Sequence, residues 1–490
     1  MSIFNFFLKK ENVRTRFAPS PTGYLHIGGL RTALYSYLFA KQKNGKFILR
    51  VEDTDLKRQV EGAAEAIYSG LKWAGLQYDE GPDIGGPYGP YAQSQRLDIY
   101  KKYADELIKN KHAYYCFCSE EMLEKMRQEQ IANKQIPKYN RRCRELSDEE
   151  VKRKLSANEP RVIRMKIPEN RVIEVDDIIR GKVLYNSSEL DDQVLLKSDG
   201  YPTYHLAVVV DDHLMEISHV TRTEEWLPST PKHILLYEFF GWKAPQWAHL
   251  PLLLNSDKTK MSKRKGDVAL GYYIERGYLP EAMINFLAFL GWNPGTEKEA
   301  YSMKELLKDF SFEKVQKSGA IFNVEKLDWF NQYYIRHLSD ELLFEKSQPF
   351  LPQDKRGFSE EQIIKMLILE KERSATLFEI GQNAKFFFDL PGYDKDLLKW
   401  KEMSDEDLKK SLKMSKEVVS SVPENKFNSK WLSDVLLNKT SEFKNRGELL
   451  WPLRVALSGQ KNSPPPFEIL EILGKKESSK RIEAAIKKLA

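Results

Sequence analysis

The chain has 490 residues, 41% hydrophobic and 30% charged, with 77 Lys and Arg against 71 Asp and Glu and a net charge of +6. This composition excludes wholesale disorder, and the length exceeds what one hydrophobic core serves, so roughly three to five domains are expected. Three cysteines, an odd number in a long chain, exclude a disulfide framework and point to a reducing compartment. The mild positive charge suits an acidic macromolecular partner such as RNA without requiring one.

Residues 1–10 hold a short apolar patch with no basic start, no small-residue cleavage site and no arginine. Neither a secretory signal nor a transit peptide is expected, no apolar run reaches membrane-spanning length, and a cytoplasmic protein is the reading. An apolar stretch at 14–18 is followed by Pro19-Ser20-Pro21-Thr22-Gly23-Tyr24-Leu25-His26-Ile27-Gly28-Gly29 and a strongly helical run at 30–42. That order makes a glycine-rich strand-to-helix turn, where free backbone N–H groups and the helix dipole favour a phosphate. Leu30, Leu34, Tyr37 and Leu38 recur at helical spacing, and Gly45 supplies a stop. The run 46–51 reads as a buried parallel strand through Phe47, Ile48 and Leu49, and a second helix over 62–74 ends at Gly75. Strand, helix, strand, helix argues for a doubly wound α/β unit.

A Gly- and Pro-rich loop at 79–90 follows, and from about 101 to 204 the character changes. Charged helix at 120–135 runs into short strand-like pieces at 161–167 and 181–185, the pattern of an insertion. The α/β rhythm resumes with 205–210 and then 217–221. A helix follows, with Ser229 and Thr230 as capping candidates, Pro231 near its first position and Gly241 at its end. The apolar strand 251–254 leads into Lys260-Met261-Ser262-Lys263-Arg264, three cations in five residues. Beyond about 270 only helical periodicity is visible, as at 280–290, 360–380 and 480–489, with a Ser463-Pro464-Pro465-Pro466 turn in the tail.

His26 stands one residue before a glycine pair at a helix start. An imidazole there can donate to a phosphate oxygen and stabilise charge developing at the α-phosphate during attack. A basic loop is usually just solvated surface. This one follows an apolar strand, and a flexible lysine loop supplies the point charges that a polyphosphate needs. Together, in this order, the two segments resemble the signature motifs of class I aminoacyl-tRNA synthetases, and Gly29 in place of a second histidine is the glutamate-type form.

The first 330 residues resemble a bacterial glutamyl-tRNA synthetase closely. Arg16-Phe17-Ala18-Pro19, Val51-Glu52-Asp53-Thr54-Asp55 and the loop 79–90 carry this likeness. So do Leu195 to His205, Val210-Asp211-Asp212-His213-Leu214-Met215 and Glu224-Glu225-Trp226-Leu227-Pro228-Ser229-Thr230-Pro231. More thinly, it continues through Trp451-Pro452-Leu453-Arg454 and the closing helix, and so covers essentially the whole chain. The resemblance implies a Rossmann-type parallel sheet split by an α/β insertion and followed by an all-helical C-terminal region. Its divisions are catalytic halves at 12–100 and 205–255, an insertion at 101–204 for the tRNA acceptor end, the lysine loop and a stem-contact domain at 256–340, and an anticodon-binding region at 341–490. ATP with Mg²⁺, L-glutamate and tRNA(Glu) are the implied substrates of a monomer.

By the same resemblance, His26, Lys260 and Lys263 are catalytic. Pro19, Thr22, Gly23, Gly28, Gly29, Met261, Ser262 and Arg264 join them in binding ATP. Arg16, Ala18, Ser20, Glu52, Tyr204 and Arg222 bind glutamate. Here two guanidinium forks and a phenol read the side-chain carboxylate, and Glu52 at the end of the second strand receives the ammonium. Without the resemblance, Arg222 would read as a surface arginine and Tyr204 as a core aromatic. Thr223 departs from the small residue expected beside Arg222 and crowds the amino-acid pocket. Arg373, in a helix spanning 370–380, is the candidate for anticodon contact ahead of Lys371, against the alternative of a solvated helix face. Cys116, Cys118 and Cys143 match the spacing of a zinc element found in some members. Glu145 stands where its histidine would be and Tyr139 is no better, so zinc is not expected.

Close enzymatic alternatives are a glutamine-type relative or a truncated tRNA-modifying one; roughly 150 helical residues beyond the catalytic part disfavour the second. A synthetase-like RNA-binding protein without catalysis predicts loss of His26 or of the lysine segment, and both are present. Replacing Lys263 by Ala should cost adenylate formation about two or more orders of magnitude in a folded protein. Near-normal single-turnover activation in that variant would remove the assignment.

Overall fold

A computed structural model of the chain describes residues 12–261 and 268–489. The N-terminal patch at 1–10, and Ser262, Lys263 and Arg264 of the lysine segment, lie outside the described residues. The chain divides into two compact units, one running to Tyr272 and adding Met283–Val324, the other made of Tyr273–Ala282 and Glu325–Ala490.

In the first unit β1 (Arg14–Phe17) leads through the glycine-rich turn into α1 (Ile27–Gln42), then β2 (Lys46–Leu49) and α2 (Ala63–Trp73). Helix α1 starts three residues before the expected run because His26 caps it: its imidazole accepts the N–H of Gly29, which draws the glycine pair into the first turn. Leu30, Leu34 and Leu38 are buried on α1, and Phe47, Ile48 and Leu49 are wholly buried on β2. The next elements are α3 (Leu97–Lys109), β3 (Ala113–Cys116), α4 (Glu120–Ala132), α5 (Asp148–Ser156), β4 (Val162–Met165), β5 (Val172–Asp177), β6 (Gly181–Asn186) and β7 (Val194–Leu196). Then come α6 (Tyr204–Leu214), β8 (His219–Thr223), α7 (Thr230–Phe239), β9 (Gln246–Leu250) and β10 (Leu253–Leu254).

The main sheet has the order β2-β1-β8-β9-β5-β6, with every neighbouring pair parallel except β5 and β6. Strands β3, β4 and β7 form a separate antiparallel sheet. Strand β5 joins the main sheet beside β9, with Asp177 in register with Trp247. One stretch of sequence between about 101 and 204 thus contributes to two sheets. A sheet whose strands run the same way exposes all their carboxyl ends on one edge, which is where the glycine-rich turn emerges.

The apolar run 205–210 lies in helix α6, although Val208, Val209 and Val210 favour strand on their own. Residues 206–210 of the run are buried, and its continuation, Asp211 and Asp212, is buried too. A helix buried on all sides shows no amphipathic period to read. Helix α7 starts at Thr230 with no side-chain cap bond from Ser229, and the Thr230 hydroxyl is engaged elsewhere. Gly75 and Gly241, at φ +71° and +67°, reverse the chain after α2 and α7 as the sequence suggests.

Beyond β10 the elements are α8 (Leu270–Glu275), α9 (Pro280–Phe289), α10 (Met303–Asp309), β11 (Ala320–Ile321), α11 (Val324–Arg336), α12 (Asp340–Ser347), α13 (Glu360–Lys371) and α14 (Leu377–Phe388). Four more helices complete the chain: α15 (Asp405–Ser421), α16 (Ser429–Lys439), α17 (Gly447–Ser458) and α18 (Pro466–Lys487), the last kinked at Gly474. Strand β11 corrects the expectation of helix alone: it pairs in parallel with β10, and two residues are too short for any periodicity. The expected helix across 370–380 is also corrected. Thr376 accepts the N–H of Glu379 and the Glu379 carboxylate accepts the N–H of Ala375, a capping signature that starts α14 afresh and leaves Arg373 in the turn before it. In the second unit the buried Arg481 donates to the carbonyls of Phe386, Phe387 and Leu457, tying α14, α17 and α18 together. Among the described residues no helix is long and apolar enough to cross a membrane.

Gly45 sits where α1 turns back to β2, and a Cβ there would stand 2.1 Å from the Val13 carbonyl oxygen. Gly45→Ala should therefore destabilise the first unit by about 1–3 kcal/mol through forced backbone movement. A urea titration with an unchanged midpoint would show that this junction yields freely.

Candidate active site

The two motif segments, far apart in sequence, are stitched together in space. His26 forms an antiparallel bridge with Ala269, the Ile27 N–H donates to the Val268 carbonyl at 2.9 Å and the Leu270 N–H to the Leu25 carbonyl at 2.9 Å. On the other side of the lysine segment, Lys260 bridges Leu254, and the Met261 N–H donates to the Leu253 carbonyl at 3.0 Å. These backbone bonds bring Lys260 and Met261 to the mouth of a cleft of about 1760 Å³ that Pro19, Ser20, Thr22, Gly23, His26, Gly28 and Gly29 also line. The Lys260 ammonium pairs there with Glu225. His26 Nδ1 accepts the Gly29 N–H in capping α1, so in the neutral ring the proton sits on Nε2. A Cβ at position 28 would come 3.1 Å from His26 Nδ1, and one at 29 would come 3.2 Å from Leu25, so a larger residue at either position would require these side chains to shift.

Beneath the cleft runs a buried ionic network. Arg50, wholly buried, donates to Asp212 at 2.7 Å and to Glu52 at 3.1 Å, and lies 3.8 Å from Asp211. Burial alone would favour loss of its proton, but the three carboxylates outweigh that and raise its pKa. Arg16 on β1 donates to Asp212 at 3.0 Å, so its charge is already matched within the protein. Glu52 lies three residues past the end of β2, not at its end, held by its N–H on the Pro19 carbonyl at 2.9 Å. Burial pushes its carboxyl pKa up against the pull of Arg50 and Arg16.

Arg222 on β8 is different. Its guanidinium donates to Tyr204 Oη at 2.8 Å, Thr230 Oγ1 at 2.8 Å and His249 Nε2 at 3.0 Å, and lies 3.3 Å from His233 Nδ1. Among the described residues it forms no ion pair. Burial, then Lys232 and Arg222, push His205 down to about 3 and His233 well below its usual value. Burial likewise lowers His249 against the pull of Asp177. At neutral pH the ring of partners is uncharged, and a buried cation faces the cleft without a protein counter-ion. Tyr204 packs tilted against Trp226, ring centroids 4.5 Å apart, and the Thr223 hydroxyl turns to Glu225 at 3.2 Å. Arg16, Ala18, Ser20, Glu52, Tyr204 and Arg222 all line this one cleft.

Sequence reading passed over Arg50, Asp177, Thr230 as a site residue, His233 and His249. Two adjacent acids at the end of an apolar run, Asp211-Asp212, were the available signal for buried arginines, since unpaired acids do not stay inside. Arg373, in the second unit, is half-buried 3.7 Å from the buried Glu370.

The three cysteine sulfurs lie within 4.8 Å of one another. Glu145 is excluded as a fourth ligand: its side chain is 81% exposed and faces Arg144. The Tyr139 phenol stands in the cluster instead, 3.3 Å from Cys116 Sγ, 3.6 Å from Cys118 Sγ, and accepting the Cys143 N–H at 3.1 Å. Three thiols and a phenol that must first lose its proton make a weak donor set for zinc. Protein purified without added metal should carry well under one zinc per chain. Elemental analysis giving one tightly held equivalent, lost in Cys143→Ser and loosened in Tyr139→Phe, would overturn this and name the phenol as fourth ligand.

Comparison with known proteins agrees with this geometry. Residues 12–329 match the family described as tRNA synthetases class I (E and Q), catalytic domain, and 342–486 match an anticodon binding domain. The chain is 47% identical to the glutamate–tRNA ligase of Chloroherpeton thalassium, over 98% of this chain and 99% of that one. It is 46% identical to the enzyme of that name from Alkaliphilus metalliredigens, over 96% and 98%. A crystal structure of a glutamate tRNA ligase from Elizabethkingia meningosepticum, in complex with its amino acid, superposes with a TM-score of 0.88 at 42% identity, covering 98% of this chain and all of that one. The fold, the cleft and these likenesses together place the chain in the class I tRNA synthetase family of glutamate and glutamine type.

Proposed function

We propose that the cleft activates L-glutamate with ATP and passes the glutamyl group to the 3′ end of tRNA(Glu), as the name glutamate–tRNA ligase of the relatives describes. The observation that carries this reading is the uncompensated guanidinium of Arg222 among neutral acceptors. A glutamate carboxylate supplies the missing charge, whereas a neutral glutamine amide would leave a buried cation unmatched. Glu52, whose carboxyl pKa is raised by burial, gains most from an arriving ammonium.

ATP, with its magnesium, sits on the Pro19–Gly29 turn, its phosphates toward the N-terminus of α1. Attack of the glutamate α-carboxylate on the α-phosphorus forms glutamyl-adenylate and releases pyrophosphate. The His26 Nε2–H and the lysine segment, with Lys260, Lys263 and Arg264, stabilise charge on the phosphoryl oxygens and the leaving pyrophosphate. A ribose hydroxyl of the tRNA then displaces AMP. Residues 101–204 approach the acceptor end, 256–340 the stem, and 341–490, with Arg373 in the turn before α14, the anticodon. The protein acts as a cytoplasmic monomer.

Aminoacylation with labelled glutamate tests the reading. The wild type should charge tRNA(Glu), and Arg222→Gln should raise the glutamate KM by about tenfold or more, because a charge-assisted fork becomes a neutral amide. An unchanged glutamate KM in that variant would show that Arg222 is not the side-chain reader.

A further inference from the structure

Arg222 can reach the cleft with its charge intact only if something other than a carboxylate holds it. Its Nε donates to His249 Nε2 at 3.0 Å, and His249 Nδ1 lies 2.6 Å from Asp177 Oδ2. A guanidinium is a donor only and an ionised carboxylate an acceptor only, so the hydrogen positions follow without ambiguity. His249 carries its proton on Nδ1, toward Asp177, and turns the Nε2 lone pair to Arg222. Asp177 is fixed in turn: its oxygens also accept the N–H groups of Ile179 at 3.0 Å, Arg180 at 2.8 Å and His249 itself at 3.0 Å. Both side chains are wholly buried.

We infer that Asp177 and His249 are a positioning pair for Arg222, which set selectivity for an acidic over an amide side chain by holding the guanidinium in place without neutralising it. The inference rests on the reading of the cleft given above. A carboxylate in direct contact with Arg222 would orient it equally well but cancel the charge that the substrate must meet, as Asp212 does for Arg16. Interposing an imidazole keeps the negative charge one ring away while still fixing the fork. The other groups against His249 do not replace this role. Thr230 Oγ1, at 3.3 Å, is shared with Arg222; Arg180 reaches only the His249 carbonyl, at 3.1 Å; and the Trp247 ring is stacked 6.4 Å away. The pair spans β5 and β9, so it exists only because β5 is paired into the main sheet.

Three variants test it. In His249→Asn the amide reaches only the Nδ1 position, keeping a partner for Asp177 and losing the acceptor for Arg222. In His249→Gln the side-chain carbonyl reaches the Nε2 position and restores that acceptor. Asp177→Asn presents a donor to His249 and favours the tautomer with an N–H facing Arg222. Aminoacylation is measured with glutamate and ATP varied separately, glutamine is tested as competitor, and thermal unfolding is followed in parallel. His249→Asn and Asp177→Asn should raise the glutamate KM by about tenfold, leave the ATP KM within twofold and weaken rejection of glutamine, with His249→Gln recovering most of the loss. Equal rises in both KM values, an unchanged glutamate KM, or a Gln variant no better than Asn would overturn the inference. A wild type that does not charge tRNA with glutamate would remove the reading of the cleft, and the inference with it.

Discussion

The structure turns on how it accounts for charge buried beneath the cleft. Arg50 is wholly buried, and a guanidinium in that setting needs hydrogen-bond acceptors, with its charge best offset by carboxylates. Asp212, Glu52 and Asp211 provide that offset, and they come from two different parts of the chain. Helix α6 has to lie against β2 for its two acids to meet Arg50, and Asp211 also accepts from Arg96 at 2.7 Å and Tyr100 at 2.8 Å, which anchors α3. Removing one partner would leave a stranded charge, far costlier than a lost surface pair.

The same accounting separates two arginines that otherwise look alike. Arg16 and Arg222 both lie on parallel strands, and both line the cleft. Arg16 is balanced by Asp212; Arg222 is held by a phenol, a hydroxyl and imidazoles, none charged at neutral pH. One is neutralised within the protein, while the other presents an unmatched charge to the cleft. An electrostatic preference for the substrate therefore lies in what is absent around Arg222 as much as in what is present.

The glycine-rich side of the cleft is built mainly from backbone. The turn after β1 ends at a helix N-terminus whose capping imidazole lines the cleft, and the segment 268–270 is hydrogen-bonded to that turn on both sides of His26. Few side chains are required, and those few pack tightly against positions 28 and 29.

The glycine-rich turn, the buried strand β2, the stops at Gly75 and Gly241 and the residues of the cleft were legible in the sequence, because each depends on local chemistry: a helix start, an apolar run, a positive φ, a motif read in order. Capping chemistry at Thr376-Ala375-Glu379 was equally local, but it was hidden by apolar periodicity continuing on both sides. Other features had no local signal at all. Helix α6 carries a strand-like composition because its middle, 206–212, is buried on every side. Strands β5 and β6 leave a stretch read as an insertion to extend the main sheet, and β11 is only two residues long. The tautomer of His249, the charge left open on Arg222 and the turning away of Glu145 from the cysteines were decided by tertiary structure. Whether a polar side chain is paired, and by what, depends on partners brought from distant parts of the chain, and no spacing along the sequence encodes that.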